Sequence, residues 1–162
     1  MPGEILVRSY MLMQGYYNKP EETARAIDAD GFMHTGDMGV MRPDGYLRFM
    51  GRYKDMLKIG GENVDPMEVE AFLMTHPAIN LAAVVSLSDA RLSEVAVAFV
   101  RLEPGRAVTE ADVIEYCRGK IASFKIPRRV AFIDDFPMTG SGKIQKVKLR
   151  DEAGRRFSGS GG

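Results

Sequence analysis

Apolar and polar positions follow one rhythm up to about Arg52 and a different one after it. In the first third the apolar runs are short and cut by turn residues. Glu4–Arg8 reads as a strand. Gly15-Tyr16-Tyr17-Asn18-Lys19-Pro20 reads as a turn, and Pro20, with its φ already set, opens a short helix through Ile27. Phe32–Thr35 is a short strand that ends at Gly36-Asp37. Pro43-Asp44-Gly45 signals a hairpin that returns the chain into Tyr46–Met50. None of these segments alternates strongly enough to build a core of its own.

Beyond Arg52 the apolar pattern is denser. Met56–Ile59 reads as a strand and Gly60-Gly61 as a turn. Asp65-Pro66-Met67-Glu68 has the form of a helix start: an Asp cap, proline at the first position and Glu three residues after the cap. That helix buries Val69, Phe72 and Leu73 and stops before Pro77. Leu81–Leu87 and Glu94–Leu102 are strands rich in Val and Ala. Thr109 caps a second helix, with Asp112 in the reciprocal position and Val113, Ile114 and Cys117 on the apolar face. Gly119 is its stop. Arg129–Ile133 is a third strand, followed by the loop Thr139-Gly140-Ser141-Gly142-Lys143 and a short basic segment to Arg150. The pattern predicts an α+β fold, a small mixed sheet with helices packed on it, over residues 54–152. Residues 153–162, ending Ser158-Gly159-Ser160-Gly161-Gly162, read as a flexible tail. No internal repeat is present.

With 45% hydrophobic and 27% charged residues in 162, the composition is that of a globular protein and excludes global disorder. The net charge of zero hides an asymmetry: residues 1–117 hold 11 basic and 18 acidic side chains, and residues 118–162 hold 11 basic and 4 acidic. Such a basic end is either a solvated face or a place where a polyanion is handled. It lacks an array of stacking aromatics and any nucleic-acid motif, so a nucleic-acid binder is not expected. The single cysteine, Cys117, excludes an intrachain disulfide and fits a reducing cytoplasm. No apolar run approaches the ~18–20 residues of a transmembrane segment, and the N-terminus has no signal-peptide core. The 11 methionines are scattered and read mostly as core and gap fillers. His34 and His76 have no cysteine or carboxylate cluster in sequence around them, and no metal site is expected.

Three loops carry candidate chemistry. In Thr139–Lys143 glycines flank a serine ahead of a lysine. Such a loop lets backbone and ammonium approach phosphate oxygens, but it lacks the GxxxxGK[ST] spacing of a Walker loop, and a plain turn is the simpler account. Gly51-Arg52-Tyr53-Lys54-Asp55 falls where the pattern changes and is equally a solvated linker. In Thr35-Gly36-Asp37 the aspartate is either a local cap or an acceptor for sugar hydroxyls.

The order of these motifs is more specific than any one of them. Gly15-Tyr-Tyr-Asn-Lys-Pro-Glu-Glu-Thr23, His34-Thr-Gly-Asp37, Asp44-Gly45, Gly51-Arg-Tyr-Lys-Asp55, Gly60-Gly-Glu-Asn63, Pro66–Glu70, Phe124-Lys-Ile-Pro-Arg128 and Ser141-Gly-Lys-Ile-Gln-Lys146 follow in sequence. Over residues 3–152 the chain resembles the C-terminal portion of the adenylate-forming superfamily of acyl-CoA synthetases, luciferases and peptide-synthetase adenylation domains. Within it, the chain is similar to the medium- and long-chain fatty acyl-CoA ligases. The resemblance implies a two-step reaction: a carboxylate attacks the α-phosphorus of ATP to give an acyl-adenylate, and coenzyme A then displaces AMP. It implies Lys143 as the mobile catalytic lysine, a cation that meets the charge developing on the phosphate. Asp37 matches the ribose-binding aspartate, and Arg52 matches an arginine on the ribose and phosphate side. Lys54 matches the hinge between domains. Gly60, Gly61 and Glu62 match the loop beside the pantetheine arm. Arg118 and the Ile126-Pro127-Arg128 turn match the contacts to the nucleotide of coenzyme A.

The same resemblance sets residues 1–53 as the last strands of a large N-terminal adenylating domain, severed from the rest. That missing domain would be the chain's partner and would hold the carboxylic acid, most of the ATP and its Mg2+. The chain alone is then expected to bind ATP weakly and to complete no turnover. The alternative is a non-catalytic complementation subunit that docks on a separate adenylating domain. Two positions depart from the pattern. Ser93 replaces a glycine before Glu94, which bears on a turn, and Asn63 stands where acetate- and butyrate-type ligases carry arginine.

Overall fold

The computed structural model describes residues 1–157 and divides into two compact units, Met1–Asp55 and a second beginning at Met56. The first unit is a three-stranded antiparallel sheet in the order β1 (Gly3–Val7), β2 (Met33–Met41), β3 (Leu47–Arg52), with helix α1 (Pro20–Ala26) between β1 and β2. The β2–β3 hairpin turns where the Pro43-Asp44-Gly45 signal predicts: Gly45 has φ +83° and donates its N–H to the Arg42 carbonyl. β2 does not end at Gly36-Asp37. It runs on to Met41 through a register shift between Met38 and Gly39. Asp37 therefore lies in a strand rather than in a turn, because a glycine with φ +70° at position 36 lets the strand bulge and continue. Tyr46, Leu47 and Phe49 are exposed, so this sheet buries little.

The second unit is a five-stranded sheet in the order β5-β4-β7-β6, with β8 also paired to β7. Its strands are β4 (Leu57–Ile59), β5 (Glu62–Val64), β6 (Ile79–Asp89), β7 (Ser93–Leu102) and β8 (Arg129–Phe132). All pairings are antiparallel except β7 with β8. The parallel pair needs a crossover, which α3 (Glu110–Cys117) supplies. The α+β fold with a mixed sheet is thus as the pattern predicts.

Strand alternation feeds two separate cores, one on each face. Ala82, Val84, Ala96, Ala98 and Val100 join Val69 and Leu73 of α2 (Pro66–Leu73) and Val113 and Cys117 of α3. Ala83, Val85, Val97 and Phe99 join Leu149 and Ala153 of α4 (Lys146–Phe157). The central residues of β7, Val97–Val100, are fully buried, which explains why β6 and β7 read as continuous Val/Ala runs. Two of the edge strands, β6 and β8, each have a buried amide answered by a helix carboxylate. Glu70 of α2 accepts the Val84 N–H of β6, and Glu110 of α3 accepts the Val130 N–H of β8.

Local signals account for most helix ends. Thr109 and Asp112 form a complete capping box on α3, and Gly119 follows its end with φ +69°. Asp65 caps Met67, and the Glu68 carboxylate three residues on is held by Lys125 at 2.6 Å. Two further expectations are corrected. The segment beyond 152 is not tail as far as Phe157, since α4 continues through it and buries Ala153; residues 158–162 lie outside the described residues. Among the described residues no methionine belongs to the buried core; apart from Cys117 the filling is by Val, Ala, Leu, Ile and Phe, whose shorter or stiffer side chains suit thin layers on both faces of one sheet.

Candidate active site

In the first unit the register of β2 and β3 sets Asp37 directly opposite Arg52. Arg52 Nε donates to Asp37 Oδ1 at 2.7 Å, and this bond pushes the guanidinium further above its ordinary range. The other carboxylate oxygen of Asp37 makes no hydrogen bond among the described residues and stays open as an acceptor. Behind it, Thr35 Oγ1 accepts the Asp37 N–H at 3.1 Å and donates to the Ile5 carbonyl at 2.7 Å. Glu4 Oε1 accepts the Gly36 N–H at 2.9 Å, and Glu4 Oε2 meets His34 Nδ1 at 2.9 Å. His34 Nε2 lies 3.5 Å from Asp28, so its two nitrogens face two different carboxylates. The Glu4 bond is the main cause that raises the His34 pKa. Lys54 is exposed in a short 3-10 turn, Tyr53–Asp55, which closes the first unit.

In the second unit the loop from Met138 to Ile144 is a closed hairpin. Thr139 N–H donates to the Lys143 carbonyl at 2.8 Å, and Gly142 N–H returns to the Thr139 carbonyl at 2.9 Å. Thr139 Oγ1 accepts the Lys143 N–H at 3.0 Å. Gly142, at φ +78°, takes the left-handed position that the turn requires. The Lys143 side chain is exposed and has no hydrogen bond or ion pair among the described residues. A short, fastened loop thus displays one unneutralised cation.

A cleft of about 810 Å3 opens elsewhere in the same unit. Six of the seven residues expected at coenzyme A line it: Gly60, Glu62, Arg118, Ile126, Pro127 and Arg128. Gly61 is not among its lining residues; it occupies the adjoining β4–β5 turn at φ +88°. Gly60 N–H is tied to the Leu92 carbonyl at 2.9 Å, and a Cβ there would come 3.3 Å from Leu92 Cδ2. Arg118 caps the end of α3 and pairs with Glu115 at 3.0 Å. The floor is apolar, from Ile59, Leu92, Ile114 and Ile121. Two arginines at the mouth of an apolar cleft suit a ligand with an anionic head and a less polar arm.

Sequence reasoning did not find the Asp37–Arg52 pair, the His34 cluster, or the apolar cleft floor. It also missed a contact of 2.6 Å between Lys146 and Glu70, 76 positions apart. None has a local signal, because each depends on strand register or on helices meeting across the sheet. Among the described residues no group of three or more His, Cys, Asp or Glu is placed to hold a metal ion. No helix among them is long and apolar enough to cross a membrane.

An α+β unit with a lysine hairpin and an arginine-edged cleft, following a strand pair that carries Asp37 and Arg52, defines a class. Residues 68–143 match the family described as the AMP-binding enzyme C-terminal domain, and the relatives that the chain resembles include acyl-CoA ligases. Over 158 residues it is 49% identical to the Bacillus subtilis protein YngI, covering 98% of this chain and 29% of that one. It is 44% identical over 152 residues to the rat mitochondrial medium-chain acyl-CoA ligase ACSF2, covering 94% of this chain and 25% of the ligase. The crystal structure of ATP-bound MatB from Rhodopseudomonas palustris superimposes with a TM-score of 0.87 at 35% identity, over 94% of this chain and 30% of MatB. The chain therefore spans between a quarter and a third of the length of these relatives.

Proposed function

We propose that the chain is the C-terminal portion of an ATP-dependent fatty acid–CoA ligase and supplies its catalytic lysine and its coenzyme A loop. The observation that carries this reading is the Lys143 hairpin. An exposed ammonium with no internal partner, on a loop closed by its own hydrogen bonds, costs little reorganisation when it meets developing negative charge. In the first half-reaction Lys143 stabilises the α-phosphorus centre as the carboxylate attacks and pyrophosphate leaves. Asp37 accepts from the ribose hydroxyls through its open oxygen, and Arg52, held by the other oxygen, faces the phosphate side. In the second half-reaction the Gly60-Gly61-Glu62 turn flanks the pantetheine arm in the cleft. Arg118 and Arg128 attract the phosphates of coenzyme A, and Ile126 and Pro127 form the wall.

Lys54 is the hinge in this reading; it lies one residue before the end of the first compact unit. The domain limits 1–53 and 54–152 belong to the same proposal. ATP-bound MatB and the ligase ACSF2 support the choice of nucleotide and reaction class, and both are three to four times longer than this chain. The acid, most of the ATP and the Mg2+ are accordingly assigned to a large N-terminal adenylating domain as partner. A cytoplasmic location is proposed from the single cysteine, which is a buried thiol.

The test adds this chain to a large adenylating domain of a medium-chain acyl-CoA ligase that lacks its own C-terminal part. Thioester formation that depends on ATP, acid and coenzyme A is expected only with both components. No gain over the large domain alone, in adenylate or in thioester, would refute the proposal.

A further inference from the structure

The described hydrogen bonds of residues 138–145 run within the loop or into the first turn of α4, apart from the Gln145 N–H, which donates to the Pro137 carbonyl at 2.8 Å; none of them reaches a strand of the sheet. Ile144 packs against the second core, and the polar fastening follows just after the loop. Lys146, the first residue of α4, places Nζ 2.6 Å from Glu70 Oε1 on α2. The same oxygen accepts the Val84 N–H at 2.7 Å. β6 is a sheet edge and Val84 is fully buried, so this amide has no other acceptor. Glu70 cannot swing away from Lys146 without stranding that donor. The pair is mostly buried, with side chains 14% and 27% exposed, and is little screened by solvent.

The charge pattern of α4 gives a second, independent reason. Its first turn contains no acid, yet it sets Lys146 and Lys148 at the positive end of the helix dipole. Glu70 supplies from another element the negative charge that this turn lacks. Because α2 packs on one face of the sheet and α4 on the other, the contact reaches around the β6 edge and joins both layers.

We infer that Glu70 is a positioning residue for Lys143: through Lys146 it fixes the foot of the loop and so the place where the catalytic ammonium stands. The inference rests on the role proposed above for Lys143. Glu70 itself is a structural acceptor two contacts away from the reacting atoms.

Glu70→Gln keeps the acceptor for Val84 and removes the charge; Lys146→Met removes only the ammonium and serves if the first variant does not fold. Hydrogen exchange of the 162-residue chain should quicken about tenfold at the Gly142 and Lys143 amides in either variant and stay unchanged at Val97–Val100. In the two-component ligase assay, kcat for adenylate formation should fall about tenfold with the KM for the acid unchanged. Thioester formation from supplied acyl-adenylate should not change. Lys146→Arg should restore both readouts, and the double variant should be no worse than either single one. Unchanged exchange, or faster exchange with unaltered adenylation, would overturn the inference. Failure of the wild-type protein to form adenylate would instead refute the ligase reading, and the exchange result would then decide whether Glu70 holds the loop.

Discussion

Among the described residues Ser93 is the second of two non-glycine residues in the left-handed region, and its replacement by glycine should stabilise the second unit. Its φ is +67° at the start of β7, where it pairs with Ile59 and closes the β6–β7 turn against Asp89. An L side chain there crowds its own carbonyl, at a cost of about 1–2 kcal/mol. Glycine removes that cost and returns about 0.5–1 kcal/mol as extra freedom of the unfolded chain. The net expectation for Ser93→Gly is a gain of about 1 kcal/mol. Ser93 is exposed and its hydroxyl has no hydrogen bond among the described residues, so Ser93→Ala should stay within about 0.5 kcal/mol of wild type. Hydrogen exchange at Val97–Val100, which open only when the unit opens, should slow about fivefold in the glycine variant and hardly at all in the alanine variant. A glycine variant that exchanges as fast as the alanine variant would refute the reasoning.

Three further outcomes are expected. Lys143→Ala in the two-component ligase assay should slow adenylate formation by about 10²–10³-fold while thioester formation from supplied adenylate suffers far less; equal losses in both steps would rule out its assigned role. Thr109→Ala should cost about 1 kcal/mol by removing the capping box of α3, read as a lower urea midpoint at unchanged slope. The His34 pKa is raised by Glu4 and Asp28, so its contribution is complete below the unfolded value of about 6.5 and is lost as pH rises through the higher folded value. The thermal midpoint of the first unit should therefore fall on going from pH 6 to pH 8.5, and His34→Gln should flatten that slope.

Where a bond joins near neighbours, the chain declares it. Thr109 and Asp112 are three residues apart, and their reciprocal bonds form as the spacing predicts. The Thr139–Lys143 hairpin is likewise readable from its glycines and hydroxyls. Glu68 shows what spacing leaves out: beside its place three residues after the cap, it holds Lys125, 57 positions away, with a full charge. β5 escaped notice because three residues after a glycine turn carry too little alternation. α4 escaped because its first turn is basic and uncapped, and it buries only Leu149 and Ala153. Its stability is tertiary, from the second core and from Glu70. The Asp37–Arg52 pair needs the β2–β3 register, which includes a shift between Met38 and Gly39 that no local pattern announces.

Cys117 sits at the end of α3 with no exposed surface, and burial raises its thiol pKa. Its sulfur is bonded to the Val113 carbonyl in the core. Such a thiol is shielded from alkylating reagents for as long as the surrounding side chains stay packed. As the chain's single cysteine, it makes the protein its own stopwatch: the speed at which a thiol reagent is consumed counts the openings of the second unit, one molecule at a time, without any added label.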